Sequence, residues 1–203
     1  MQISWLGEAG IRLQFKDTVL MIDPPGAISG LKPTRQAAQI VAVTETEGRD
    51  WKSIPGDPLL IDIPGEFERQ NVFVYGIKLP SESHRLHFRV EGEEMSFGHL
   101  GNLDHKIENG ELAQLEGVDV LFVPVGGKSV LTAEQAADLA NQIEPRIIIP
   151  IQYQATGMKT TYTGIEPFLK IMGAKSPEVV DKIKLSKKDL PADDAQVMLL
   201  SCS

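Results

Sequence analysis

Cysteine is nearly absent from the sequence, and long hydrophobic runs are missing altogether. The 203-residue chain has one cysteine, Cys202, so it can form neither a disulfide framework nor a paired-cysteine metal knuckle. No stretch has the length needed to cross a bilayer, and the first residues lack the basic and apolar regions of a secretory signal. We therefore expect a cytoplasmic protein that does not bind membranes.

Positive charge is also scarce. The chain has 20 Lys and Arg against 28 Asp and Glu, a net charge of −8 with a pI near 5.0. Binding to nucleic acids or anionic membranes depends on neutralising phosphates, so we expect no nucleic-acid partner. The expected partners are an unidentified small molecule, a protein, or further copies of the chain in a homo-oligomer.

Hydrophobic residues make up 42% of the chain, enough to bury one sizeable core. We therefore expect a single domain over residues 1–203. Short runs of β-branched and aliphatic residues, separated by Gly, Pro and Asp, predict strands through the first half. The predicted strands are 1–6, 11–15, 19–22, 39–44, 59–63, 72–77 and 85–90.

The second half of the chain predicts strands that alternate with helices. Strands at 118–124 and 146–150 bracket a helix with Thr132 as its N-cap and Gln135 three residues later. Further helices are predicted around 109–115 and 164–172, and a closing strand over 196–201. This order predicts an α/β fold with two stacked sheets and helices outside them.

Several sequence segments resemble those of a known family and occur in the same order as in that family. They are WLGEAGIRLQ, TVLMIDPPG, IVAVTETEGRD, IPGEFE, FGHLGNLDH, the run from VDVLFVPVGG to IPIQY and, more weakly, KSPEVVDKIKLSKKDLP. They resemble the metallo-β-lactamase superfamily, in particular its short branch of metal-dependent hydrolases related to sugar-phosphate lactonases. The resemblance spans nearly the whole chain. It implies a four-layer αββα sandwich with an active site at one edge.

Members of that superfamily hold one or two metal ions, usually zinc, at this edge. Their ligands are a His-x-His-x-Asp-His loop, two further histidines and a bridging aspartate. The ions lower the pKa of bound water and polarise the scissile bond.

This sequence departs from the family pattern at every ligand position that can be aligned. Glu45 and Glu47 stand where the first two histidines would be, Arg49 replaces the aspartate and Asp50 replaces the last histidine of the loop. Elsewhere in the chain, three further polar residues occupy family positions: Glu8 near the start, Asn102 for the bridging aspartate and Gln152 for a final histidine. The resemblance thus implies a degenerate active site.

One histidine ligand of the family has no assigned counterpart, because His84 would match only after a shift in the alignment. The other histidines are His87, His99 and His105. None of the four has the spacing of a metal site, so structural or solvent-facing roles are expected. Asp23 and Glu66 could approach the edge, although an Asp before prolines commonly organises a turn. Two glycines at a strand end, Gly126 and Gly127, could likewise form either a turn or an anion site. Lys128 would be the nearest basic residue to such an anion.

Several carboxylates brought together at one edge would need compensation. Three arrangements are open. Arg49 could turn inward and pair with the carboxylates; a hard cation such as Mg²⁺, Ca²⁺ or Mn²⁺ could bind the oxygen ligands; or the side chains could diverge into solvent.

The replacements favour a non-catalytic binding protein or oligomer subunit, for which no cofactor is expected. The alternative is a hydrolase at the same edge. It would use a metal other than zinc, or metal-free acid–base chemistry by paired carboxylates such as Glu45 and Glu47.

Overall fold

A computed structural model of the protein describes residues 1–26, 29–46, 51–79, 85–107 and 112–202. Its first sheet contains strands β1 (Gln2–Gly7), β2 (Gly10–Gln14), β3 (Val19–Ile22), β4 (Ile40–Ala42), β5 (Leu59–Ile61) and, from the C-terminal part, β13 (Ile183–Lys184). The strand order is β13-β1-β2-β3-β4-β5. Pairing is antiparallel from β13 to β3 and parallel from β3 to β5.

The second sheet contains β6 (Gly65–Arg69), β7 (Val72–Ile77), β8 (His87–Gly92), β9 (Met95–His99), β10 (Val120–Pro124), β11 (Ile147–Ile151) and β14 (Gln196–Val197). Its order is β14-β11-β10-β9-β8-β7-β6. The β6–β9 half is an antiparallel meander, whereas β9, β10, β11 and β14 pair in parallel. Two short strands, β12 (Val179–Val180) and β15 (Leu199–Leu200), form a small parallel pair.

Helix α1 (Ala133–Ile143) connects the parallel strands β10 and β11 and packs against β10. Thr132 and Gln135 form the predicted capping box: each side chain accepts a hydrogen bond from the backbone N–H of the other residue. This satisfies two of the N–H groups that a helix start leaves unpaired. Helix α2 (Glu166–Ile171) packs against α1.

The two sheets pack face to face through alternating side chains. In β3, Leu20 and Ile22 point into the main core, whereas Met21 between them faces outward into a second apolar cluster. Phe15 at the end of β2 meets Phe97 of β9 edge to face, with ring centroids 6.1 Å apart. The period-two pattern of the sequence thus positions the core between the sheets.

The outer face of the first sheet is covered, within the described residues, by the loops on either side of β4, the second of which contains a short 3-10 turn (Trp51–Ser53). Ala38 from the first of these loops and Ile54 from the second pack on Leu6, Met21 and Val41. In the described part of the chain this layer therefore contains no α-helix.

The predicted α/β class with two stacked sheets is confirmed, and so is the helix between β10 and β11. Strand β6 was not predicted, because an edge strand that is exposed on most of its residues lacks an apolar face. Of the helix predicted at 109–115, the described part is a 3-10 turn (Leu112–Gln114). The predicted closing strand is divided between β14 and β15. None of the described helices is both long and apolar enough to span a membrane.

Candidate functional site

Four polar residues lie at or just beyond the ends of strands at one edge of the sandwich, and all four have a left-handed backbone. Glu8 follows β1 (φ 50°), Asp23 follows β3 (φ 47°), Asn102 follows β9 (φ 63°) and Gln152 follows β11 (φ 52°). This conformation is costly for residues other than glycine, least so for Asn and Asp. Its recurrence at one edge is typical of loops whose geometry is constrained by function.

Asn102 and Gln152 bind one another through two hydrogen bonds. The backbone N–H of Asn102 donates to Oε1 of Gln152 (2.8 Å), and Nε2 of Gln152 donates to Oδ1 of Asn102 (2.9 Å). Nε2 also donates to the hydroxyl of Tyr162 (3.3 Å). Gln152 is only 1% exposed, so its amide is fully committed to the protein.

The network continues from Asn102 into the first sheet. Nδ2 of Asn102 donates to Oγ1 of Thr44 (2.6 Å), whose hydroxyl donates to Oδ2 of Asp23 (2.8 Å). The backbone N–H of Thr44 donates to the other oxygen of the same carboxylate (2.8 Å). We name the four side chains of Asp23, Thr44, Asn102 and Gln152 the edge network. It joins the ends of strands from both sheets.

Glu8 joins this edge through its main chain and its side chain. Its carbonyl accepts hydrogen bonds from the backbone N–H of Gln152 (3.1 Å) and from Nε1 of Trp5 (2.9 Å). Its carboxylate accepts a hydrogen bond from the hydroxyl of Thr160. Burial, and then the charge of Glu8, raises the pKa of the Cys202 thiol. A raised pKa disfavours the thiolate, so Cys202 is not an activated nucleophile.

Arg85 brings together two acidic residues from different loops. Its guanidinium pairs with Glu45 and, through Nη1, with Asp104 (2.8 Å). The pKa of Asp104 is lowered: partial burial raises it, but the hydrogen bonds and charges of Arg85 and His105 together lower it by more. Arg85 therefore supplies a compensating charge for Glu45, a role that the sequence analysis had considered for Arg49 as one of three open arrangements.

The other predicted members of the acidic loop, Glu47, Arg49 and Asp50, lie outside the described residues. The predicted pairing of Arg49 with an acidic residue therefore stays a prediction. Of the sequence-predicted positions, the structure brings together Glu8, Asn102 and Gln152 directly. Glu45 reaches the same edge because Thr44, its neighbour in the chain, belongs to the edge network.

Replacing Arg85 with methionine is expected to lower the free energy of unfolding by about 1 kcal/mol, because the partly exposed ion pairs are screened by solvent. The loss should be largest at neutral pH. The loss should become smaller in acid, because the pKa of Asp104 is lowered in the folded protein. A carboxylate with a lowered pKa stabilises the fold fully at pH values above its ordinary pKa, and this stabilisation disappears as the pH falls through the lowered pKa. Urea unfolding across pH measures this. Arg85→Lys, which keeps the charge without the forked donors, is the control. If the difference in unfolding free energy between the unaltered chain and Arg85→Met did not depend on pH, the pairing of Arg85 with Asp104 would be contradicted.

A recess of about 180 Å³ opens beside Arg85. The described residues that line it include Thr44, Glu45, Thr46, Lys78 and Arg85. Thr44 belongs to both the recess and the edge network. The recess is thus the solvent-facing side of the edge, and its wall carries charges of both signs.

The described histidines are buried in the fold or contact other protein groups. His99 is 1% exposed, and its Nδ1 accepts a hydrogen bond from the backbone N–H of Gly101 (3.3 Å), so Nε2 carries the proton and donates to the carbonyl of Ala9 (2.8 Å). His87 is fully buried in β8, and His105 contacts Asp104. His84 lies outside the described residues.

Gly126 has a spatial role that the sequence did not distinguish from an ordinary turn. A Cβ at this position would lie 2.0 Å from the carbonyl oxygen of Gln152, so only glycine lets the end of β10 approach β11 so closely. Lys128 is exposed, with φ 58°. Glu66 is exposed on the edge strand β6.

Comparison with known proteins identifies similar sequences and structures. Residues 2–152 match the family described as Beta-lactamase superfamily domain. A UPF0173 protein of Pyrococcus furiosus is 37% identical over 75 residues, 36% of this chain and 34% of that relative. A UPF0173 metal-dependent hydrolase of Staphylothermus marinus is 27% identical over 99 residues, 47% of this chain and 41% of that relative. The match thus spans well under half the length of either curated relative.

A solved structure from Thermotoga maritima is similar over nearly the whole chain. It is a candidate Zn-dependent hydrolase of the metallo-beta-lactamase superfamily, with a TM-score of 0.83 and 25% sequence identity. The superposition covers 98% of this chain and 99% of that one. The two-sheet architecture is therefore that of the metallo-β-lactamase fold.

These names correct one expectation from the sequence. We expected no cofactor, with Mg²⁺, Mn²⁺ or Ca²⁺ as a minor possibility, because the zinc-binding histidines are replaced. That expectation was wrong, since the Staphylothermus relative is named metal-dependent and the Thermotoga structure Zn-dependent. A metal cofactor is what these relatives indicate.

The described side chains at this edge do not fit a zinc ion. Zinc in proteins binds His nitrogen, Cys sulfur or carboxylate oxygen, whereas the amides of Asn102 and Gln152 bind one another and the Asp23 carboxylate accepts two hydrogen bonds from Thr44. Over the described ranges, no three His, Cys, Asp or Glu residues are grouped so that they could hold a metal ion. We therefore derive no chemical step through a metal from these residues.

Proposed function

The chain belongs to the Beta-lactamase superfamily, and from this premise we propose that it is a diverged relative of the metal-dependent hydrolases. In this proposal the histidine ligand set has been replaced by the edge network. The edge then binds a small polar molecule and does not hydrolyse it. A protein partner or a second copy of the chain stays a prediction from the sequence alone.

The observation that carries the proposal is the mutual hydrogen bonding within the edge network. Hydrolytic sites keep donors and acceptors aimed at the reacting group of the substrate. Here Gln152 donates to Asn102, Asn102 to Thr44 and Thr44 to Asp23. Asp23 is 0% and Thr44 is 2% exposed. Groups that satisfy one another below the surface stabilise the loops, and this supports a structural role for the former ligand positions.

The recess beside the edge network is the proposed binding position. Lys78 and Arg85 on its wall provide donors, while Glu45 and the hydroxyl of Thr46 provide acceptors. Because the wall carries both positive and negative charges, it favours a polar molecule with both hydrogen-bond donors and acceptors, and it disfavours a simple anion or cation. Because Arg85 is held by Glu45 and Asp104, its guanidinium is positioned before a ligand arrives.

A second candidate is hydrolysis at the same edge, and the names of the relatives favour it. Glu45 would then be the described carboxylate placed to act as a general base. Its pairing with Arg85 opposes this role, because the guanidinium already occupies one of the two carboxylate oxygens that would accept the proton.

Turnover measurements separate the two candidates. The protein is equilibrated with Zn²⁺ or Mn²⁺ and incubated with p-nitrophenyl acetate, γ-butyrolactone and bis(p-nitrophenyl) phosphate. For the binding protein we expect equal, background rates for the unaltered chain and Glu45→Gln, an isosteric change at a partly exposed site. A rate well above background that Glu45→Gln or Asn102→Ala removes would contradict the proposal.

Binding is measured on the same proteins by equilibrium dialysis against a defined mixture of polar metabolites. The unaltered chain should retain at least one compound that Arg85→Met does not retain. Equal retention by the two proteins would count against the recess as the binding position.

A further inference from the structure

A second, larger recess lies on the loops that cover the outer face of the first sheet, and none of its described lining residues belongs to the edge network. Its volume is about 750 Å³, within the range of small-molecule sites. The described residues that line it come from the two loops on either side of β4: Lys32, Pro33, Thr34, Arg35, Ser53 and Pro55. We name it the loop recess.

The charge of the loop recess is opposite to that of the whole chain. Its described lining contains Lys32 and Arg35 and no carboxylate, although the chain carries a net charge of −8. Neither cation forms an ion pair with another described residue. Three other recesses have linings that contain both acidic and basic residues. The loop recess is therefore a local positive potential on an acidic protein, which favours an anion there.

The walls of the loop recess are attached to the sheet. Ala38 is fully buried and Ile54 is 5% exposed, and both pack in the outer apolar cluster. The backbone N–H of Ala38 donates to the carbonyl of Pro55 (3.2 Å), which joins the two segments. Pro33 and Pro55 have ring-restricted φ angles. The cations thus extend from segments with fixed positions, which lowers the entropic cost of binding a ligand.

The donors of the loop recess fit a doubly charged anion. Lysine provides a compact charge and arginine a planar fork that matches a carboxylate or phosphate. Oγ1 of Thr34 accepts a hydrogen bond from the N–H of Gln36 (3.3 Å), which leaves the hydroxyl hydrogen available to donate. The two prolines give apolar walls for the organic part of a ligand. We propose that the loop recess binds a small organic dianion, a dicarboxylate or a phosphate ester.

The test is isothermal titration of the full chain with succinate, phenyl phosphate and acetate at low ionic strength. We expect saturable binding of at least one dianion, and at least tenfold weaker binding of acetate, which can pair with only one of the two cations. Tighter binding of succinate would identify carboxylate as the recognised group, and tighter binding of phenyl phosphate would identify phosphate. No saturable binding of either dianion, or acetate binding as tightly, would overturn the proposal.

Variants locate the binding. Lys32→Met and Arg35→Gln should each weaken the dianion about tenfold, the usual effect of losing one charge-assisted hydrogen bond. Lys184→Met removes an exposed lysine of β13 and is the matched control, with unchanged affinity expected. All three positions are exposed, so unfolding midpoints without ligand should agree. Equal affinities across the three variants would place any binding elsewhere. None of these results depends on the turnover or dialysis experiments at the edge network.

Discussion

Replacing Asp23 with alanine is expected to lower the free energy of unfolding by about 4 kcal/mol. The carboxylate is fully buried and accepts hydrogen bonds from both the backbone N–H and the hydroxyl of Thr44. Its removal leaves buried donors without acceptors. Alanine also tolerates the left-handed backbone at this position (φ 47°) less well than aspartate does. Urea unfolding, with the midpoint and the slope fitted together, measures the loss.

Two controls separate these contributions. Asp57 has almost the same backbone conformation (φ 50°) and an exposed side chain, so Asp57→Ala should show the backbone cost alone, about 1 kcal/mol. Asp23→Asn keeps the size and one acceptor oxygen, and should lose about 2 kcal/mol. If Asp23→Ala cost no more than Asp57→Ala, the edge network would not contribute to stability.

The sequence predicted the parts of the fold that depend on local pattern. Runs of β-branched and aliphatic residues predicted β1 to β3, and the Thr132–Gln135 spacing predicted the start of α1. Prediction from the local sequence pattern missed β6, most of whose residues are exposed, and β13, which pairs through only two residues. Such strands form because a neighbouring strand offers hydrogen bonds, and this information is distant in sequence.

The candidate site was predicted in a similar, partial way. Glu8, Asn102 and Gln152 were placed at one edge because their phrases match those of a family in which the ends of these strands converge. Asp23 was interpreted mainly as a turn residue, because the prolines after it conceal its contact with Thr44, 21 residues away. Nothing in the sequence singled out Arg85, since its partners Glu45 and Asp104 lie 40 and 19 residues distant.

A left-handed backbone recurs at the strand ends of this edge, at Glu8, Asp23, Asn102 and Gln152. The side chains of Asn102 and Gln152 converge there and form hydrogen bonds with one another. A backbone that is costly for non-glycine residues persists only when its surroundings determine it. We infer that the hydrogen bonds of the edge network now do so.

Replacing Gln152 with alanine should therefore lower the free energy of unfolding by about 3 kcal/mol. The backbone N–H and Oδ1 of Asn102 lose their partners. No added backbone strain is expected, because glutamine and alanine are equally disfavoured at φ 52°. Urea unfolding again provides the measurement. A loss below about 1 kcal/mol would mean that water replaces the amide without penalty.

The edge network also predicts how Gln152→Ala combines with a change two residues further along the hydrogen-bond chain. Thr44→Val removes the hydroxyl that accepts from Asn102. Because the Asn102 amide is held at both ends, releasing either end already weakens the other, so the double variant should lose about 1 kcal/mol less than the sum of the single losses. Gln152→Ala combined with Thr132→Ala, at the N-cap of α1, should be additive within about 0.5 kcal/mol. Additivity in both pairs would show that the four side chains act as separate contacts, and the interpretation of the edge network as one connected unit would fail.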